Sequence, residues 1–184
     1  MNKYIFGICH PVLKEKTWIP KLIRNFVNNN NSRRLKIIDI GAGYGDKCKF
    51  LVERGHYVLA IEPDEKLLNY IKSKVPEADV LRAVVEYLPI RSNSFEVIVF
   101  WNVVMFVTDL DKAVSNIIDV SKEGANLFIA YYKLKDGKKL MNYIMSEYEF
   151  LMFCRRFGQI LNYGKRFRDS YYAQVQVMKD GKSR

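Results

Sequence analysis

Short apolar runs alternate along the chain with segments whose apolar residues recur every three or four positions. The runs are Leu35 to Ile40, Tyr57 to Ile61, Val80 to Val84, Phe95 to Phe100 and Ala125 to Tyr132. Phe95 to Phe100 is almost unbroken, as expected of a strand covered on both faces. Helical spacing fills most of the intervals. Ile19, Leu22, Ile23, Phe26 and Val27 predict a first helix, opened by Thr17-Trp18-Ile19-Pro20, where proline is tolerated in the first turn. Cys48, Phe50, Leu51 and Val52 predict a second, stopped at Gly55. Pro63-Asp64 begins a third, with Leu67, Leu68 and Ile71 inward and Pro76 beyond its end. Thr108-Asp109-Leu110-Asp111 reads as a capping box with Asp in place of Glu, ahead of a helix that buries Leu110, Ala113, Val114, Ile117 and Ile118. Leu140, Met141, Ile144, Met145, Tyr148, Leu151 and Met152 predict a long helix ending at Gly158. Two closing strands follow, Gln159 to Tyr163 and Tyr171 to Met178, joined by the basic loop Gly164 to Ser170.

This alternation predicts an α/β fold of three layers with a mostly parallel sheet. The 184 residues suit a single domain. Residues 1–34 form an N-terminal helical segment that can act as a lid. Residues 35–132 form the core, and residues 133–184 a C-terminal helix with the closing strands. No apolar run approaches the roughly 18 residues that span a bilayer, and no membrane partner is expected.

The junction between the first strand and its helix carries the chemistry. Ile37-Ile38-Asp39-Ile40-Gly41-Ala42-Gly43-Tyr44-Gly45-Asp46 runs from a buried strand into a glycine turn. Such a turn lets a ligand approach the main chain closely. Asp39 precedes the turn, and a second acid, Glu62, follows the next strand. That is the layout of a nucleoside site at the carboxyl edge of a parallel sheet. The spacing Gly-x-Gly-x-Gly departs from the dinucleotide fingerprint, whose last glycine is replaced here by Asp46. A pyrophosphate favours a helix N-terminus because it is anionic. Asp46 and Asp39 would oppose it, so a ligand with a cationic amino end suits the pocket better.

These residues resemble the first motif of the class I methyltransferases that use S-adenosyl-L-methionine, in particular the small, type 11-like members. The resemblance is close over roughly residues 35–132. It extends to Glu62 after Tyr57 to Ile61, to the loop and strand Ala83 to Ile98, and to the turn Ser121-Lys122-Glu123-Gly124. It implies a Rossmann-like sheet of seven strands with the last antiparallel, and S-adenosyl-L-methionine as cofactor. By the same resemblance Gly41, Ala42, Gly43 and Gly45 line the methionyl part and Asp39 orients its amino group. Glu62, followed by Pro63, accepts the ribose hydroxyls, as a forked carboxylate can. Val84 and Val85 flank the adenine, and Trp101 and Asn102 sit near the sulfonium. Many relatives have Asp where Val84 stands, which leaves the adenine amino group to the main chain or to Glu86. No Asn/Asp-Pro-Pro-Tyr motif follows the fourth strand, and Met105 and Phe106 stand where some relatives carry histidines.

Several of these residues also have plainer readings. Glu62 fits an acid at a helix start. Glu86 fits either a site or solvent, and Trp101 either core packing or a site wall. No residue declares itself as catalytic. His10 is a candidate base only as part of a lid. With two histidines and three scattered cysteines, no metal cage is expected, and the odd cysteine count favours a reducing, cytoplasmic setting.

Charge bears on the methyl acceptor. The net charge of +10 is divided unevenly: residues 1–36 hold eight Lys/Arg and one Asp/Glu, residues 37–130 ten and fourteen, and residues 131–184 twelve and five. Basic ends around a mildly acidic middle allow RNA or another acidic partner. A small-molecule acceptor walled by Tyr4, Phe6, Trp18 and the Trp101–Phe106 segment is slightly favoured. Two alternatives remain, a non-catalytic nucleotide-binding module and an NAD-dependent oxidoreductase.

Overall fold

The structure is a computed structural model, and it describes residues 19–132, 142–166 and 170–179. Helix α1 spans Lys21–Asn29, β1 Lys36–Ile40, α2 Asp46–Val52, β2 Tyr57–Ile61, α3 Glu65–Lys74 and β3 Asp79–Leu81. Then come β4 Phe95–Trp101, α4 Leu110–Val120, β5 Ser121–Tyr131, α5 Glu147–Arg155, β6 Gly158–Arg166 and β7 Ser170–Val177. The seven strands form one sheet in the order β3-β2-β1-β4-β5-β7-β6. Strands β1 to β5 pair in parallel, and β7 runs antiparallel between β5 and β6.

Each sheet face has its own core. Ile37, Val58, Val97 and Val99 pack with Ile23 and Val27 of α1, Cys48 and Leu51 of α2 and Ile71 of α3. Ile38, Ile98, Phe100 and Ile129 pack on the other face with Ile117 of α4 and Phe150 of α5. Alternate residues of β1 and β4 thus serve opposite faces, because side chains alternate along a strand. The central strands are apolar on both sides, and three layers result.

Several boundaries differ from the sequence expectations. Strand β3 ends at Leu81 instead of Val84. Val84 leaves the sheet and bridges to Tyr87, whose N–H donates to the Val84 carbonyl at 3.0 Å. The connection from β3 to β4 carries no helix. Strand β5 begins at Ser121, four residues before Ala125, because Ser121 pairs with Phe95 and a register shift absorbs the irregularity. The cap of α4 is Asp109, whose carboxylate accepts from Lys112 N–H at 3.0 Å; the Thr108 hydroxyl is engaged elsewhere.

The expected long helix is the largest correction. Helix α5 starts only at Glu147, behind a capping box in which Ser146 and Glu149 satisfy each other's main-chain N–H groups. The preceding residues run non-helical against the loop after β4. Asn142 N–H donates to the Met105 carbonyl at 2.8 Å, and its side chain donates to those of Phe106 and Val107. Met145 N–H donates to the Tyr131 hydroxyl at 3.1 Å. These tertiary bonds outweigh the helical spacing of Ile144 and Met145. Leu140 and Met141, like Tyr4, Phe6, His10 and Trp18, lie outside the described residues.

Candidate cofactor site at the carboxyl edge of the sheet

Strands β2 and β4 flank β1, so the chain leaves β1 to one side and returns on the other. A crevice opens at such a switch point, outside the carboxyl ends of the strands. The glycine turn occupies it. Gly41 N–H and Ala42 N–H both donate to the Ile61 carbonyl, at 2.8 and 3.0 Å, which ties the turn to the end of β2. Gly41 has φ +72, and a Cβ built there would strike the Val103 side chain. Gly45, at φ +77, is the residue before α2 and would press a Cβ on Ile71 at 3.0 Å. The backbone angle and the close approach both require glycine at these positions.

Glu62 connects the parts. One carboxylate oxygen accepts from Gly43 N–H at 3.0 Å and the other from Asp64 N–H at 3.2 Å. Asp64 in turn caps α3, accepting from Lys66 and Leu67 N–H. Glu62 is 8% exposed, and burial pushes its carboxyl above the usual carboxylate range. Each oxygen keeps a lone pair beyond the main-chain bond it already accepts. Glu62 thus organises the start of α3, as an acid at that place can, and ties it to the glycine turn. Pro63, between Glu62 and Asp64, takes Arg82 Nε on its carbonyl at 3.1 Å.

Asp39 is fully buried at the end of β1. One oxygen accepts from the Cys48 thiol at 3.3 Å and lies 3.5 Å from Lys47 Nζ. The other is buried with no hydrogen-bond partner among the described residues. Burial lifts the Asp39 carboxyl above its ordinary value, with Lys47 opposing the rise. Burial is the largest influence on the Lys47 ammonium and disfavours it, but Asp39, Cys48 and Asp46 together outweigh that and hold Lys47 above the ordinary lysine value. The sequence reading missed Lys47. It placed two uncompensated acids near the turn, whereas Asp39 is paired with an ammonium from the first turn of α2. No local pattern links positions 39 and 47; only the packing of α2 beside β1 brings them together.

The remaining candidates divide. Val84 and Val85 sit in the turn after β3; Val85 is buried and its carbonyl accepts from Asn116 Nδ2 at 3.0 Å. Glu86 is neither in solvent nor free: it is 8% exposed and accepts from the main chain and hydroxyl of Thr108, at 2.6 and 2.9 Å. It fastens the β3–β4 connection to the loop before α4. Thr108 is exposed and its donors can turn to water, so Glu86→Ala is expected to cost about 0.5–1.5 kcal/mol, the range for a lost intramolecular hydrogen bond, read as a lowered melting temperature. Trp101, the last residue of β4, is 8% exposed, with its ring 6.3 Å from that of Tyr172. Asn102 turns the chain at φ +60 and donates its N–H to the Ala130 carbonyl at 3.0 Å, which delivers Val103 over Gly41. Tyr44 is half exposed and meets Tyr70 edge-on at 5.6 Å.

The described histidine, His56, is structural. Its Nδ1 accepts from Leu35 N–H at 3.3 Å, and burial holds it below the usual histidine value. No metal-binding cluster occurs among the described residues, nor does any helix there have the length and apolarity to cross a membrane.

The unengaged Asp39 oxygen and the buried Glu62 fork beside the glycine turn fit a nucleoside that carries an amino-acid tail. Comparison with known proteins agrees. The family described as "Methyltransferase domain" matches residues 38–129. An uncharacterised methyltransferase of Mycobacterium bovis is 27% identical over 96 residues, covering 52% of this chain and 39% of that protein. The ubiquinone/menaquinone biosynthesis C-methyltransferase UbiE of Vibrio cholerae is 33% identical over 104 residues, covering 51% of this chain and 40% of that protein. The chain thus spans less than half the length of these curated relatives. A SAM-dependent methyltransferase structure from Aquifex aeolicus superposes with a TM-score of 0.68 at 18% identity, covering 84% of this chain and 89% of that one. The glycine turn, the acid after β2 and the sheet order together place this chain in the class I S-adenosylmethionine-dependent methyltransferase family.

Proposed function

We propose that this chain binds S-adenosyl-L-methionine at the β1–β2–β4 edge and catalyses methyl transfer to a small-molecule acceptor. The observation that carries this is the unit formed by the glycine turn and Glu62, in which one buried carboxylate holds both Gly43 and Asp64 N–H groups. When bound, the cofactor supplies a methyl group activated by the sulfonium. The chain's own residues bind and orient. Glu62 would accept the ribose hydroxyls, and Val84 and Val85 would flank the adenine. Gly41, Ala42, Gly43 and Gly45 would line the methionyl part. Asp39 and Lys47 together offer a carboxylate and an ammonium to its amino-acid end. Trp101 and Asn102 would stand beside the sulfonium, where an aromatic face favours a cation. Holding acceptor and methyl group in line supplies much of the rate enhancement of such a displacement. No described residue is assigned as a base, so we favour an acceptor that is nucleophilic in its own right. The buried free cysteines Cys48 and Cys154 suit a reducing, cytoplasmic setting.

A thermal-shift panel of S-adenosylmethionine, S-adenosylhomocysteine, NAD and ATP tests this reading. At about 100 times its Kd a ligand adds about 2.7 kcal/mol of stability, which is readily seen. Stabilisation by the first two alone is expected. Stabilisation by NAD alone would favour an oxidoreductase. Binding of the sulfonium compound without turnover on an acceptor library would favour a non-catalytic module.

Affinity should depend on pH through Glu62. Its ionised form accepts hydrogen bonds at both oxygens, and its carboxyl is raised by burial. Cofactor affinity is expected to fall as pH drops through that raised value. The stability of the free protein runs the other way. Below the ordinary carboxylate pKa the contribution of Glu62 is fully present, and it is lost as pH rises through the folded-state value, because the unfolded chain ionises first. Calorimetric titration of cofactor from neutral to mildly acidic pH, beside melting curves of the free protein, separates the two trends.

A further inference from the structure

A second cleft lies at the opposite edge of the sheet, at the amino ends of the strands. It has a volume of about 550 Å³ and is lined by Lys36, Arg91, Ser92, Asn93, Ser94 and Lys122. All six lining residues are polar, and the charged ones are all cations. Lys36 opens β1, and Ser94 and Lys122 stand at the starts of β4 and β5. β1 spans five residues, so at about 3.3 Å per residue the cleft is about 15 Å from the glycine turn.

The acids nearby are already engaged. Glu96 accepts from Lys36 main-chain N–H at 2.9 Å and from Lys122 Nζ at 3.2 Å. Asp119 accepts from the Ser92 hydroxyl at 2.8 Å, and Glu123 from Lys179 N–H at 3.0 Å. Lys36 and Arg91 are exposed and have no ion-pair partner among the described residues. Exposed Arg33 and Arg34 precede them in the same region, and Arg33 also feels the charge of Glu96.

The lip is held in place. Asn93 adopts φ +56. Asn93 and Ser94 N–H donate to the carbonyls of Asp119 and Val120, each at 2.9 Å, and the Ser94 hydroxyl donates to the Arg91 carbonyl at 2.6 Å. These bonds engage the Asn93 and Ser94 N–H groups and brace the loop's main chain, so the cleft offers an anion its lining side chains.

We propose that this cleft binds phosphate oxyanions, separately from the cofactor crevice. Lys122 is held by Glu96, which leaves the Lys36 ammonium, the Arg91 guanidinium and the Asn93 amide as donors that suit a tetrahedral anion, and guanidinium matches phosphate in a bidentate fork. The volume accommodates a nucleotide-sized group. Its distance from the glycine turn makes it an anchoring site, not the place where a methyl group is received.

The test is titration of the full chain at low salt with tripolyphosphate and with short single-stranded RNA, followed by calorimetry or fluorescence anisotropy. Binding of both is expected, with affinity falling as salt rises. The Lys36→Glu/Arg91→Glu double variant should weaken it at least about tenfold and lower the salt slope by about one per lost phosphate contact. Unchanged circular dichroism and melting temperature would establish that the variant folds. RNA affinity that grows with length identifies a nucleic-acid backbone as the source. Saturation by tripolyphosphate with no gain from RNA identifies a free phosphorylated small molecule. Either supports the site. Absence of anion binding in the wild-type chain, or equal binding by the folded double variant, overturns it. Neither result depends on the cofactor, so failure here and failure of the methyltransferase reading are distinguishable.

Discussion

Gly41→Ala is expected to abolish measurable binding of S-adenosylmethionine and to lower the melting temperature. The new methyl group would meet Val103, and φ +72 in a non-glycine residue costs roughly 1–2 kcal/mol by itself. Both effects fall on the turn that ties β1 to the Ile61 carbonyl. The double variant Gly41→Ala/Val103→Ala separates them. Truncating Val103 removes its two methyl groups, the nearest atoms to the added Cβ, and leaves the backbone angle. Partial recovery of stability, with binding still impaired, is the expected pattern. Full cofactor affinity in the single variant, measured by calorimetry, would remove Gly41 from the site.

Glu62→Gln should reduce cofactor affinity by about tenfold to a hundredfold, because a lost hydrogen bond to a charged group is worth about 1.5–3 kcal/mol. The amide keeps one acceptor oxygen and turns a donor toward either Gly43 or Asp64, whose N–H groups are donors already. The variant thus loses a ribose acceptor and loosens the link between the glycine turn and α3. Affinity for S-adenosylhomocysteine should fall in parallel, because the contact involves the sugar and not the methyl group. A variant that bound both compounds normally but turned over slowly would contradict the assigned role.

Much of the fold follows from local sequence. Every residue of β1 and β2 except Lys36 and Asp39 is apolar or aromatic, and both strands formed where their runs predicted, β2 matching at Tyr57 and Ile61 and β1 starting one residue late, at Lys36. The motif was legible because it is local: three glycines and Asp39 fall within seven residues, and turn chemistry acts over that range. Glu62 was legible because it directly follows β2. The sequence reading passed over the capping box Ser146-x-x-Glu149, because the periodicity of the methionines around it pointed to an earlier helix start. Periodicity reports which residues could share a face; it does not report whether the main chain has better partners, as Asn142 and Met145 do.

What the sequence determined by itself is the class of fold and the position of the glycine turn, since apolar periodicity, glycine spacing and the acid after β2 are short-range properties. Tertiary structure alone decided that Lys47 neutralises Asp39, that Val103 closes over Gly41, and that Glu86 clasps Thr108. It also decided that cations from two strand starts and one loop meet at the far edge. Asp39 and Lys47 meet only once α2 packs back beside β1; Gly41 and Val103 are separated by whole crossovers, and a parallel sheet places such residues side by side only once its strand order is set.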